Sequence, residues 1–211
     1  MLDKYNRKIN YLRISVTDRC NLRCQYCMPE EGIELFNHKD SISFEEIINV
    51  IKIAVGLGVD KVRLTGGEPL IRKGIIDLVA KIAQIEGIKD LAMTTNGILL
   101  EKYSKELFIA GLKRINISLD TIDTDRYKYL TRGGDLNKVL LGIRAAKEVG
   151  FNPIKINCVV WKSKDENDAL GVKNYCENNG LEIRYIRWMN LKTGEFSVVE
   201  GGAGGDCKHC N

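Results

Sequence analysis

Residues 11–28 read YLRISVTDRCNLRCQYCM, and the fold follows from how this stretch is read. Its first part, Tyr11 to Thr17, alternates polar and apolar side chains as a half-buried strand does. Directly after it come Cys20, Cys24 and Cys27, spaced C-x3-C-x2-C, so the thiols sit in a loop at the carboxyl end of a strand. Thiolates are soft ligands, and such a triplet suits an iron–sulfur cluster. A cubane has four irons, so three cysteines leave one iron open to a substrate or cofactor. Two other readings of the triplet exist. Zinc sites generally take four ligands, and the next Cys or His along the chain is His38. A disulfide with a spare thiol fits poorly with an N-terminus, MLDKYNRKINYL, that has no apolar signal segment.

The strand-then-helix alternation continues outward from this stretch. Strand-like segments fall at 11–17, 60–65, 90–95, 114–119, 154–160 and 182–188, and helical ones at 44–57, 72–86, 98–110, 124–130, 136–149 and 165–179. Ser43 ahead of Glu45 and Glu46 reads as an N-cap with acids in the first turn, followed by the apolar stripe Ile47, Ile48, Ile51 and Val55. Asp135 and Gly150 bracket another helix, and Asp165 and Gly180 a third. Six βα units predict an α/β protein with a parallel sheet and right-handed crossovers.

A sheet covered by helices on both sides is apolar on both faces. Here one face carries Tyr11, Arg13, Ser15 and Thr17, then Lys61, Arg63 and Thr65, then Asn116, Ser118 and Asp120, then Lys155 and Asn157, then Glu182 and Arg184. Helices therefore cover the other face, and the polar one lines a wet interior. Six units are too few for a closed eight-stranded barrel. The expectation is a partial (β/α)6 barrel over residues 1–190, with a flat sheet bearing polar edge strands as the alternative. From Leu191 the pattern stops: residues 191–211 read as a glycine-rich linker, with GGAGG at 201–205, leading to Cys207 and Cys210. A C-x2-C pair is half of a zinc or cluster site.

The chain has 211 residues, 44% of them hydrophobic and 28% charged, the balance of a globular domain with a sizeable core. A net charge of +4 is too mild for a nucleic-acid-coating surface and suits a small anionic substrate. No apolar run approaches the roughly 20 residues that span a bilayer. Seven cysteines without a secretion signal predict a reducing, cytoplasmic setting with thiols as ligands. Cys158 and Cys176 fall on apolar faces and read as core residues.

Other motifs gather at the same rim. Thr65-Gly66-Gly67-Glu68-Pro69 follows the second strand, where two glycines allow a ligand close to the backbone and Glu68 offers a carboxylate. Thr94-Thr95-Asn96-Gly97 ends the third strand and Ser118 the fourth, where α/β folds collect ligands. A tight turn, or capping by Thr and Asn, would use the same residue types. Arg13, Lys61, Arg63, Lys155 and Arg184 all project to the inferred interior. Five cations in one cavity are unfavourable without anions, a triphosphate supplies them, and guanidinium forks match phosphate oxygens. The alternative for any one of them is an internal salt bridge with Glu68, Asp120 or Glu182.

CNLRCQYCM resembles the signature of the radical S-adenosylmethionine enzymes. The strings RISVTDRCNLRCQYCMPEEG, KVRLTGGEPL, KINCVV and IRYIRWM resemble one branch of them, the GTP 3',8-cyclase family of molybdenum cofactor biosynthesis. The resemblance runs over residues 7–190. It implies a partial barrel and a [4Fe–4S] cluster on Cys20, Cys24 and Cys27 whose fourth iron is chelated by S-adenosylmethionine. It implies that Tyr26, Gly66, Gly67, Glu68, Thr94, Asn96 and Ser118 bind that cofactor, and that Arg13, Lys61, Arg63, Lys155, Arg184 and Met189 bind GTP. The reaction implied is reductive cleavage to a 5'-deoxyadenosyl radical, hydrogen removal at C3' of GTP, and cyclisation onto C8. An electron donor is needed, a homodimer is allowed, and neither nucleic acid nor membrane is a partner. The family's second cluster would use Cys207, Cys210 and a third cysteine further on. No third cysteine follows within the sequence, so the resemblance implies either a piece of a longer chain or a shortened relative. Competing functions are a radical S-adenosylmethionine enzyme for another nucleotide or a peptide, and a non-catalytic metal-dependent relative.

Overall fold

The computed structural model describes residues 2–32, 42–160 and 166–188. Six strands, β1 (Tyr11–Ser15), β2 (Lys61–Thr65), β3 (Asp90–Thr95), β4 (Arg114–Ser118), β5 (Ile154–Val160) and β6 (Glu182–Arg187), form one sheet in chain order. Each strand is parallel to the next. Between them run the helices α1 (Phe44–Gly56), α2 (Ile75–Ala83), α3 (Leu100–Ile109), α4 (Thr124–Thr131), α5 (Leu136–Val149) and α6 (Glu166–Asn179). A parallel sheet whose strands follow chain order crosses over to the same side every time, because crossovers are right-handed. The helices therefore share one face and the twisted sheet curls away from them. This is an open partial barrel: β1 and β6 are its two edges.

The alternation read from the sequence decides what the helices cover. Val62, Leu64, Met93, Ile115, Ile117 and Ile156 are buried against Ile47, Ile51, Leu78, Ile82, Leu107, Val139 and Ile143. Cys158 and Cys176 lie in the same core. Helix ends use local chemistry. Ser43 and Glu46 form a full capping box on α1, Asp123 caps α4, Asp135 caps α5, and Gly150 closes α5 at φ +98°. Among the described residues no helix is long and apolar enough to cross a membrane.

One helix departs from expectation. The segment read as 72–86 forms only the shorter α2, Ile75–Ala83, and a short 3-10 turn, Pro69–Ile71, precedes it. Arg72 is drawn out of the helix because its guanidinium donates to the carbonyls of Val16 and Ile42 and stacks on Phe44, 4.3 Å from the ring centre. Gly74, at φ +80°, then turns the chain into α2. Asp165, the expected cap of α6, lies outside the described residues, as do Met189, the GGAGG stretch, Cys207 and Cys210.

Candidate functional site

The cysteine loop is mounted on the glycine pair. Beyond β1 and β2 the two chains remain zipped: Val16 N donates to Thr65 O at 2.8 Å, Gly67 N to Thr17 O at 2.7 Å and Glu68 N to Arg19 O at 2.8 Å. The backbones approach so closely that side chains are excluded. A Cβ on Gly66, which sits at φ +145°, would lie 2.4 Å from Thr17 O, and one on Gly67 would lie 2.1 Å from Arg19 O. The sequence assigned these glycines to a ligand; here their first neighbour is the strand-to-cysteine connection itself.

Beyond Arg19 the loop is tied down at several points. Gln25 N donates to Leu130 O at 2.9 Å, and Arg132 Nη1 donates to the carbonyls of Arg23 and Met28, at 2.8 and 2.7 Å. Cys24 O accepts from the amides of Cys27 and Met28, both at 3.0 Å, curling the loop so that its thiols share one side. Tyr26 donates its phenol to Asp120 Oδ2 at 2.7 Å, and Asp120 Oδ1 accepts from Val159 N at 2.7 Å, which ties the loop to β5. Asn96 donates to Asn21 Oδ1 at 2.7 Å, with Cys20 Sγ 3.9 Å from the same nitrogen.

The three thiols feel one another. Burial pushes the Cys24 thiol up to about 12, and the nearby Asp120, Cys20 and Cys27 push the same way. Burial likewise raises Cys20. Cys20 and Cys24 so placed ionise readily only beside a strong positive charge, and a coordinated metal deprotonates a thiol outright. Among the described residues no three Cys, His, Asp or Glu side chains converge as ligands of one ion must. The donor set fits a three-thiolate cluster.

Glu68 differs from expectation. Its carboxylate, 1% exposed, accepts from Leu70 N at 3.0 Å, Thr95 Oγ1 at 2.7 Å and Asn96 N at 2.7 Å. Burial pushes its pKa up while these donors pull it back. The side chain is an internal strut between the glycine turn and the end of β3. Replacing it with Gln puts an NH2 against one of these donors. We expect Glu68→Gln to lose roughly 2 kcal/mol in denaturant unfolding of the metal-free chain; an unchanged midpoint would mean that the strut is dispensable.

The cations share the inner face, as the alternation predicted, but are less enclosed than a closed cavity would make them. Arg13, Lys61 and Arg184 are exposed, while Arg63 and Lys155 are half-buried. The reason is the open sheet: the helices lie on its other side. Lys155 pairs with Glu182, one of the internal salt bridges foreseen. Glu68 and Asp120 are engaged elsewhere. Arg63 lies over the Tyr11 ring at 5.3 Å. Thr94 and Ser118 also lie on this face, in register with Asn116 and Asn157. Arg114 belongs here too. The sequence reading passed over it, although it stands two residues before Asn116 in the same alternation.

Residues 14–176 match the family model described as "Radical SAM superfamily". The chain belongs to the radical SAM superfamily. Curated relatives in that superfamily include a GTP 3',8-cyclase of Peptoclostridium acidaminophilum, 50% identical over 92% of this chain and 60% of its own length. A GTP 3',8-cyclase of Clostridium botulinum is 52% identical over 95% of this chain and 63% of its own length. The chain thus spans about three fifths of these relatives. Among solved structures, Streptococcus suis SuiB bound to S-adenosylmethionine superposes with a TM-score of 0.73 at 21% identity, over 88% of this chain and 42% of that one. Methylornithine synthase (PylB) superposes at 0.68 and 18% identity, over 85% and 53%. At such identities these two show the radical SAM fold alone.

Proposed function

We propose that this chain is the partial-barrel portion of a GTP 3',8-cyclase acting in molybdenum cofactor biosynthesis. The observation that carries the reading is the combination of a three-thiol loop at the carboxyl rim with a row of guanidiniums on the inner face below it. The relatives near 50% identity bear the same activity in their names. When bound, a [4Fe–4S] cluster with S-adenosylmethionine supplies a carbon radical from one-electron reduction. This chain's residues would do the rest. Cys20, Cys24 and Cys27 hold the cluster. The backbone of Gly66 and Gly67, with Tyr26, Thr94, Asn96 and Ser118, orients S-adenosylmethionine. Arg13, Lys61, Arg63, Lys155 and Arg184 hold the triphosphate, which keeps the ribose at a fixed distance from the rim. Met189, and a second cluster with Cys207 and Cys210, belong to the same reading, as do an electron donor and a cytoplasmic setting.

The test is anaerobic turnover with dithionite and S-adenosylmethionine in the presence of GTP, CTP or a peptide pool. We expect 5'-deoxyadenosine formation coupled to loss of GTP and appearance of a 3',8-cyclised nucleotide. Cleavage indifferent to GTP but coupled to CTP or peptide would overturn the assignment. Arg63→Ala gives a sharper check. Losing a charge-assisted fork is expected to weaken GTP binding by about 10- to 100-fold in calorimetry, with S-adenosylmethionine binding little changed. Equal loss of both would place Arg63 in the fold and not at the phosphates.

A further inference from the structure

Strand register builds a row that no single strand reveals. Arg13 of β1 aligns with Arg63 of β2, Arg63 with Ala92 of β3, and Ala92 with Arg114 of β4. One rung across four neighbouring strands therefore carries three guanidiniums. At the remaining position stands the methyl of Ala92, itself 2% exposed and so covered by its neighbours. The arginines are close enough to act on one another. Arg63 is held below the ordinary guanidinium range by burial first, and Arg13, Arg184 and Arg114 add to this against the opposing pull of Tyr11.

Arg114 is only partly used by the protein. Its Nη1 pairs with Asp90 on β3, which fixes the plane of the fork. Its Nε is buried and unpartnered, as is the Nε of Arg63. On the next rung Thr94, Asn116 and Lys155 are aligned. Asn116 is 0% exposed, and neither its amide nitrogen nor its carbonyl oxygen has a partner. It points to the inner face, because Ile115 and Ile117 on either side pack in the helix-covered core. Asn157, one rung further, has an unpartnered Oδ1 and is 8% exposed. Buried polar atoms without partners are rare and costly, and β2, β4 and β5 carry them on one face. Guanidinium Nε edges and an amide donor are the groups that receive phosphate oxygens.

We propose that Arg114 is a third rung arginine of the polyphosphate site, oriented by Asp90 and seconded by Asn116, and that it sets the preference for a triphosphate over a monophosphate. This deepens the nucleotide reading above and rests on it. Arg114 sits two strands beyond Arg63, with Ala92 of β3 between them, so the anion must span the rung to reach both. A chain of phosphates does so, and a single phosphate meets one arginine or the other.

The experiment is calorimetric titration of the 211-residue chain with inorganic tripolyphosphate, GTP and GMP. It compares the parent, Arg114→Gln, Arg114→Lys, and Arg114→Gln combined with Asp90→Asn. The double variant removes the acid that Arg114→Gln alone would strand, and Arg114→Lys keeps the charge but loses the fork. We expect the parent to bind tripolyphosphate and to favour GTP over GMP. Both Gln variants should lose about tenfold or more for tripolyphosphate and GTP, with GMP little changed, so that the GTP-to-GMP ratio is compressed. Lysine should restore only part of it. If the Gln variants bind tripolyphosphate like the parent, or lose GTP and GMP in equal proportion, the role of Arg114 is overturned while the GTP reading stands. If the parent binds neither tripolyphosphate nor GTP better than GMP, the triphosphate reading itself falls, and this inference with it.

Discussion

Cys24→Ala is expected to fold and to hold no cluster at the 20–27 loop. The cysteine loop is shaped by backbone and neighbouring side chains: Cys24 O receives the amides of Cys27 and Met28, Arg132 grips the carbonyls of Arg23 and Met28, and Gln25 N reaches Leu130 O. Alanine retains every one of these. What it removes is one of the three thiols, the one that burial pushes up to about 12. Two thiolates rarely retain a cubane. After anaerobic reconstitution the variant should have lost this loop's share of the parent's iron and sulfide and the matching part of its visible absorbance. Its metal-free melting temperature should stay within a few degrees of the parent's. Parent-level iron and sulfide in the variant would show that the cluster, if present, is held elsewhere.

Gly67→Ala is expected to have the next largest effect, and it separates two explanations of the glycine pair. If the glycines serve only a ligand's approach, the metal-free protein should be indifferent to a methyl group. The structure predicts otherwise. That methyl would stand 2.1 Å from Arg19 O and 2.5 Å from Arg19 C, both backbone atoms that no rotamer change can move. The loop must lift, and the bonds from Gly67 N to Thr17 O and from Glu68 N to Arg19 O go with it. Overpacking plus two lost hydrogen bonds comes to about 3 kcal/mol. For a chain of this size that is a fall of roughly 10 °C in melting temperature, read without any metal or cofactor. Cluster loading should fall as well, because Cys20 follows Arg19 directly. An unchanged melting temperature with impaired S-adenosylmethionine binding would return the glycines to the ligand.

Much of this was legible along the chain. The two-residue period of Ile115-Asn116-Ile117-Ser118 told which side of β4 meets helices, and Ile115, Ile117 and Asn116 fall where that period put them. The cysteine spacing needed no structure to be read as a ligand loop. The late start of α2 after Arg72 was not legible. Its sequence suits a helix, and only the carbonyls of Val16 and Ile42, brought near by folding, draw its guanidinium away. The strut role of Glu68 was hidden for a similar reason. A carboxylate next to two glycines resembles a ligand group until Thr95 Oγ1 and Asn96 N, from the end of the next strand, are seen to occupy it.

By itself the sequence determined the α/β order, the inner and outer faces of each strand, and the three thiols at the first strand's end. All of these depend on spacing within one short segment, where backbone periodicity acts directly. Only the tertiary structure decided that Arg13, Arg63 and Arg114 share one rung, that Gly66 and Gly67 seat the cysteine loop, and that Asp120 ties Tyr26 to β5. Those facts are distances between segments remote in the chain. They are set by strand register and by the close approach of one loop to another, and no local period encodes either.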